Sequence, residues 1–138
     1  VRLLRDGARL PQRQTAAATG YDLHACLPEG ELLIGSDPVR VPTGIAIEAP
    51  PGCDVQLRPR SGLSARGVMS AFGTIDADYR GELFVTLYTV GTREPHRLAH
   101  GDRIAQLVVA RVVEAEWEEV GALSETERGA GGHGSTGR

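Results

Sequence analysis

The sequence predicts an all-β domain built as a sandwich or barrel, and three observations carry that prediction. Short alternating stretches such as Ile45-Ala46-Ile47-Glu48 and Cys53-Asp54-Val55-Gln56-Leu57 have the period of half-buried strands. Glycine and proline punctuate them at short spacing, as in Pro50-Pro51-Gly52. Only one stretch reads as a helix. Regularly spaced short strands with turn signals between them are the pattern of a sandwich or barrel.

Taken in order, the elements repeat this logic. Thr19-Gly20-Tyr21-Asp22-Leu23-His24-Ala25 reads as a strand with a carboxylate among apolar residues. The one helix opens at Ser61, runs through Leu63-Ser64-Ala65 and stops at Gly67, with Ser61 placed to cap it. Apolar strands at 68–72 and 82–88 flank a polar hairpin, with Leu83, Val85 and Leu87 on one face. A longer apolar strand covers Ile104 to Val113 and ends near Trp117. No internal repeat or second domain is visible. The division that suggests itself is a barrel over 1–123 and a flexible arm over 124–138. From Arg128 to Arg138 the chain reads RGAGGHGSTGR, too poor in apolar side chains to fold alone.

Composition narrows the functional classes. At 138 residues and 41% hydrophobic, the chain suits one domain with a real core. Aromatic residues make up 4%, so that core rests on Val, Leu, Ile and Ala. The formal net charge of −3 argues against a general nucleic-acid polymer as partner, yet leaves room for a small phosphate ligand held by a few arginines. All 15 basic residues are Arg, and the absence of Lys rules out a P-loop, which needs its lysine. No apolar run approaches the ~20 residues that cross a bilayer. Residues 1–6 lack the apolar stretch of a signal peptide, so the expectation is a soluble, cytoplasmic protein without a membrane partner. Cys26 and Cys53 form no CxxC pair and read as small buried hydrophobes in a reducing compartment.

Four stretches carry chemistry, each with two readings. Asp22 either hydrogen-bonds within the fold or sits near a metal, because an unpartnered buried carboxylate is costly. Arg58-Pro59-Arg60-Ser61-Gly62-Leu63 is either a phosphate site at a helix start or a capped turn with solvent-facing arginines. Gly73-Thr74-Ile75-Asp76-Ala77-Asp78-Tyr79-Arg80-Gly81 packs two carboxylates, a Tyr and an Arg between glycines, as a reactive hairpin or a charged tip. Gly101-Asp102-Arg103-Ile104-Ala105-Gln106-Leu107 is a turn and strand start with Arg103 and Gln106 as its polar members. His96 and His100 have the spacing of a helical metal pair, but Pro95 and Gly101 flank them and a helix is not expected there.

In this order and spacing, with the Gly-rich tail as a fifth element, these stretches closely resemble the trimeric dUTP pyrophosphatase (dUTPase) family. The resemblance spans nearly the whole chain. It implies a jelly-roll β-barrel forming a homotrimer, with each active site shared among subunits and closed by a neighbour's tail. It implies hydrolysis of dUTP to dUMP and pyrophosphate by water attack on the α-phosphate. That activity limits uracil incorporation into DNA and supplies dUMP for thymidylate synthesis.

Residue by residue, the resemblance makes Asp76 the base that activates the water, and places Tyr79 under the deoxyribose. The backbone of the hairpin from Ser70 through Gly73 and Ile75 to Asp76 reads the uracil edge. Ser61 and Gln106 match phosphate-contacting positions, with Gly62 beside Ser61, and Arg60 matches an organiser of the site. In the tail, Arg128 and the Ser135-Thr136 hydroxyls, next to Gly134, match the grip on the γ-phosphate. Asp22 matches a carboxylate linked to Mg2+ through water, and the Mg2+ is expected to arrive with the nucleotide. One departure stands out: His133 takes the place of the usual uracil-stacking Phe, and the expectation is that its imidazole keeps that role. A dCTP deaminase shares this fold but not this catalytic set, and a nucleotide-gated regulator is the alternative from outside enzymology.

Overall fold

The computed structural model describes residues 1–28, 30–91 and 94–132. Among these residues the elements are β1 (Arg2–Leu3), β2 (Tyr21–His24), β3 (Glu31–Ile34), β4 (Val39–Pro42), β5 (Ile45–Ala46) and β6 (Cys53–Arg58). The helix α1 (Ser61–Ser64) follows, then β7 (Val68–Ser70), β8 (Gly73–Ile75), β9 (Phe84–Thr89), β10 (His96–Ala99) and β11 (Arg103–Arg111). Every strand pairing is antiparallel. A four-stranded sheet has the order β2-β11-β6-β8, and a three-stranded sheet the order β4-β9-β7. The pairs β3-β10 and β1-β5 complete the architecture.

The core lies between these sheets and is aliphatic. Val55 and Leu57 of β6, Ile104 and Leu107 of β11, and Val85 and Leu87 of β9 belong to one buried cluster. Each fully buried Leu, Ile or Val contributes about 1.5–3 kcal/mol of transfer free energy. The alternation along β9 is regular, with Val85, Leu87 and Thr89 inward and Phe84, Thr86 and Tyr88 partly exposed. Trp117, by contrast, is 95% exposed.

Three local expectations change. The two strands that flank the polar stretch do pair as a hairpin, but the stretch from Gly73 to Gly81 is more than its tip. β7 pairs with β9 directly, whereas β8 crosses to the other sheet and pairs with β6, so the chain switches sheets at Ala71-Phe72. Ser61 does not cap the helix. Arg60 is the N-cap residue, in extended conformation and without a side-chain cap, and its carbonyl accepts from Leu63 and Ser64. The last strand stops at Arg111 rather than Val113, and residues 112–130 are all exposed.

Candidate active site

The first polar centre forms around Asp22, in the middle of β2 and only 6% exposed. Its Oδ1 lies 3.3 Å from Arg60 Nε and its Oδ2 accepts from Arg103 Nη1 at 3.2 Å. Arg60 also donates through Nη1 to the Arg103 carbonyl at 2.8 Å. The arginine at the helix start is therefore turned inward onto a carboxylate rather than into solvent. Two guanidiniums for one carboxylate leave this centre with excess positive charge, which suits an anion.

A β-bulge builds this centre. In β11, Arg103 pairs with His24 and Gln106 pairs with Asp22, with a register shift between Arg103 and Ala105. The extra residue brings Arg103 and Gln106, three apart in sequence, to the face that carries Asp22 and His24. Regular alternation would have put them on opposite faces. Ile104 and Ala105 are accordingly both buried, side by side in the sequence. Asp22, Arg60, Ser61, Gly62, Arg103 and Gln106 then line one cavity of ≈ 200 Å³. Gly20 and Gln14 lie on its wall as well. A Cβ on Gly20 would meet Gln106 Oε1 at 2.1 Å, so this glycine is what lets the carboxamide lie against the β2 backbone. The Gln106 Nε2 is 3.4 Å from the Pro59 carbonyl.

His24 borders the same centre. Burial lowers its pKa below the ordinary 6.5, and the nearby Arg9, Arg103 and Arg60 push the same way against the opposing Asp22. Its Nδ1 is buried and has no hydrogen-bond partner.

The second centre lies where β8 and β9 meet the connecting turn. Thr74, Ile75, Asp76 and Tyr79 form one wall of a cavity of ≈ 270 Å³, and Arg40, Phe84 and Thr86 stand on another. Asp76 is exposed and, among the described residues, forms no ion pair. The Asp76 carbonyl accepts from the Tyr79 amide at 3.0 Å, which closes the turn. Tyr79 donates its hydroxyl to the Glu82 carbonyl at 2.9 Å. A Cβ on Gly81 would lie 2.4 Å from the Tyr79 oxygen, so a glycine is needed for the ring to fold back over the turn. Ser70, at the end of β7, is 4% exposed and its hydroxyl has no partner. Gly73 pairs with Leu57 in β6.

The remaining predicted residues fall elsewhere. Arg128 lies on the exposed arm, where its Nε donates to the Gly131 carbonyl at 2.9 Å. His133, Gly134, Ser135 and Thr136 lie outside the described residues. His96 sits in a strand, and His100 in the turn after it accepts from the Leu27 amide at 2.9 Å, so the pair does not share a helical face. Sequence reasoning did not single out Gln14, Arg40 or Phe84 for the site, because no motif marks them.

The dUTPase family model matches residues 6–137. This chain belongs to the dUTPase family. The dUTPase of Staphylococcus bacteriophage 80alpha with dUPNHPP is 26% identical to it, over 99% of this chain and 96% of that one, with a TM-score of 0.83. A point variant of that phage enzyme with dUpNHpp, at the same identity and coverage, superposes with a TM-score of 0.82. The dUTPase from phage phi11 of S. aureus, 22% identical over 91% of this chain and 97% of that one, shares the fold with a TM-score of 0.76. The jelly-roll architecture is thus the dUTPase fold, and hydrolysis of dUTP to dUMP and pyrophosphate is the activity of this dUTPase chain.

Proposed function

We propose that the chain works as a homotrimer in which the Asp76 cavity of one subunit meets the Asp22 centre of another and the arm of a third closes the site. The separation of the two centres within one chain carries this reading. They share no lining residue. In register, Ile75 lies opposite Val55 and Gln106 opposite Arg58, roughly 10 Å apart along β6. Asp76 continues beyond Val55 while Arg60 and Ser61 continue beyond Arg58. The α-phosphate needs the activated water and the phosphate cradle together, and a second copy supplies the missing half. The stretch between β11 and the arm supports the same reading, since its large apolar side chains Val113, Trp117 and Leu123 are 85%, 95% and 86% exposed and available for a neighbour to cover.

In this site Asp76 takes a proton from water as the water oxygen bonds to the α-phosphorus. The bond from that phosphorus to the bridging oxygen breaks, and pyrophosphate leaves. Ser61 and Gln106 donate to phosphate oxygens, while Arg60 holds the cradle in shape through Asp22 and the Arg103 carbonyl. Tyr79 presents its ring to the deoxyribose and leaves no room for a 2′-hydroxyl. The hairpin backbone from Ser70 to Asp76, with Gly73 and Ile75, pairs with the uracil edge. Arg128, Ser135 and Thr136 grip the γ-phosphate, and His133 stacks on the base.

Mg2+ is the family's cofactor, and the donor set here suits an ion carried in by the nucleotide. Both Asp22 oxygens already face guanidiniums, and the described residues hold no cluster of three His, Cys, Asp or Glu side chains. A small hard cation that keeps its waters would be held by phosphate oxygens of the nucleotide and, through water, by Asp22. Bound there it would supply positive charge against the triphosphate. Two unpaired cysteines support a reducing, cytoplasmic setting.

The deciding experiment is complementation. Asp76→Asn and Ser61→Ala homotrimers should each lose most dUTP turnover, about 10²–10⁴-fold for Asp76→Asn. Unfolding and refolding the two together should restore activity, because some mixed trimers contain one site with both residues intact. No recovery in verified mixed trimers would defeat the shared-site reading. Anion-exchange analysis of dUTP, dCTP, dTTP and UTP reactions checks that dUTP alone yields pyrophosphate.

A further inference from the structure

One part of the cavity that Asp76 and Tyr79 line belongs to none of the five motifs. It is formed by Arg40 on β4 with Phe84 and Thr86 on β9. The register pairs Arg40 with Thr86 and Pro42 with Phe84, which makes Arg40 and Phe84 diagonal neighbours on the outward face of this sheet. The Arg40 guanidinium carbon lies 4.3 Å from the centre of the Phe84 ring. That is well inside cation–π range. A stacked guanidinium loses much of its rotamer freedom yet keeps its in-plane N–H donors available.

Those donors are unspent. Among the described residues the Arg40 guanidinium forms no ion pair and no hydrogen bond. The other ionisable side chains around the cavity, Glu82 and Tyr79, are committed. Glu82 pairs with Arg5 and accepts from the Gly44 amide at 2.8 Å. Tyr79 is bonded to the Glu82 carbonyl. Two charged side chains therefore remain open to this cavity, the Asp76 carboxylate and the Arg40 guanidinium. A base and a free cation on separate walls leave between them the place for an anion under attack.

We propose that Arg40, held against Phe84, is a substrate-contacting residue that binds the α-phosphate of dUTP in the Asp76 cavity. This rests on the reading that Asp76 activates the water in this cavity. As the water oxygen bonds to the α-phosphorus and its proton passes to Asp76, negative charge builds on the phosphoryl oxygens. Arg40 offsets that charge until the bond to the pyrophosphate leaving group breaks.

Four enzymes test this: wild type, Arg40→Ala, Arg40→Lys and Phe84→Leu, assayed for dUTP turnover and for binding of dUMP and 2′-deoxyuridine by calorimetry. Arg40→Ala should lower kcat/KM roughly tenfold to a hundredfold. It should weaken dUMP binding while leaving deoxyuridine binding unchanged, because only dUMP carries the phosphate. Arg40→Lys should recover part of the loss, and Phe84→Leu should fall between wild type and Arg40→Ala. Unchanged kinetics in Arg40→Ala, or equal weakening of both ligands, overturns the proposal while the Asp76 reading stands. Full turnover by Asp76→Asn overturns that reading and the Arg40 proposal with it.

Discussion

The carboxylate of Asp22 lies 3.3 Å from the Nε of Arg60, joining the middle of β2 to the residue that precedes α1. The side chain of Asp22 is 9% exposed and that of Arg60 19%, so water screens this pair little. The carboxylate also holds Arg103, which makes it the link between the two arginines.

Asp22→Asn should therefore destabilise the fold by about 2–3 kcal/mol. That is the low end for breaking a buried pair, because Arg103 is 44% exposed and partly screened. Urea melts measure it. Asp22→Asn combined with Arg60→Gln should recover part of the loss, since the second change removes a stranded charge. Strict additivity of the two losses would show that the pair is not coupled.

Gly20→Ala should disturb function more than folding. The added methyl must displace the Gln106 carboxamide, the movable end of a flexible side chain, while the 3.2 Å approach to Gln106 Cβ asks only a slight shift of β11. The expected result is a drop in kcat/KM for dUTP of roughly tenfold to a hundredfold with a nearly unchanged Tm. Wild-type kinetics would remove Gln106 from the proposed phosphate contacts.

Cys26 and Cys53 should differ in reactivity. Cys26 is 1% exposed, and burial raises its thiol pKa, with Glu82 adding to that and Arg5 opposing it. Cys53, at the start of β6, is half-exposed. Iodoacetamide at pH 8 should label Cys53 first in the native protein and both residues in urea, as read by peptide mass spectrometry. Equal native labelling would contradict the packing around Cys26.

Stability should fall in mild acid through His24. Its folded pKa is depressed, so the unfolded state binds the proton more readily. The stabilisation from its neutral form is complete above the unfolded value of 6.5. It declines as pH drops below 6.5 and levels off only beneath the lowered folded pKa. Thermal melts between pH 7.5 and 5 should show a steeper decline for wild type than for His24→Gln. Parallel curves would remove His24 as the source.

Much of this was legible in the chain itself. Alternation located β6 and β9 within a residue or two, because one face of each packs on the core and the other meets water. The helix at Ser61 was also visible, although its cap was misplaced by one residue, since capping depends on backbone angles that a residue name does not fix. The turn from Asp76 to Gly81 was marked as chemical by its density of polar residues between glycines.

What the sequence determined by itself was the class of fold, the family and the identity of the polar residues, because local periodicity and motif spacing are properties of a linear chain. The tertiary structure decided which of those residues share a face. The bulge at Ile104-Ala105 sets Arg103 and Gln106 beside Asp22, the sheet switch at Ala71-Phe72 carries Asp76 away from them, and the pairing of β4 with β9 lays Arg40 on Phe84 in the cavity that Asp76 also lines. A one-residue shift in pairing turns side chains to the other face, and the partner strand that sets the register is far away in sequence.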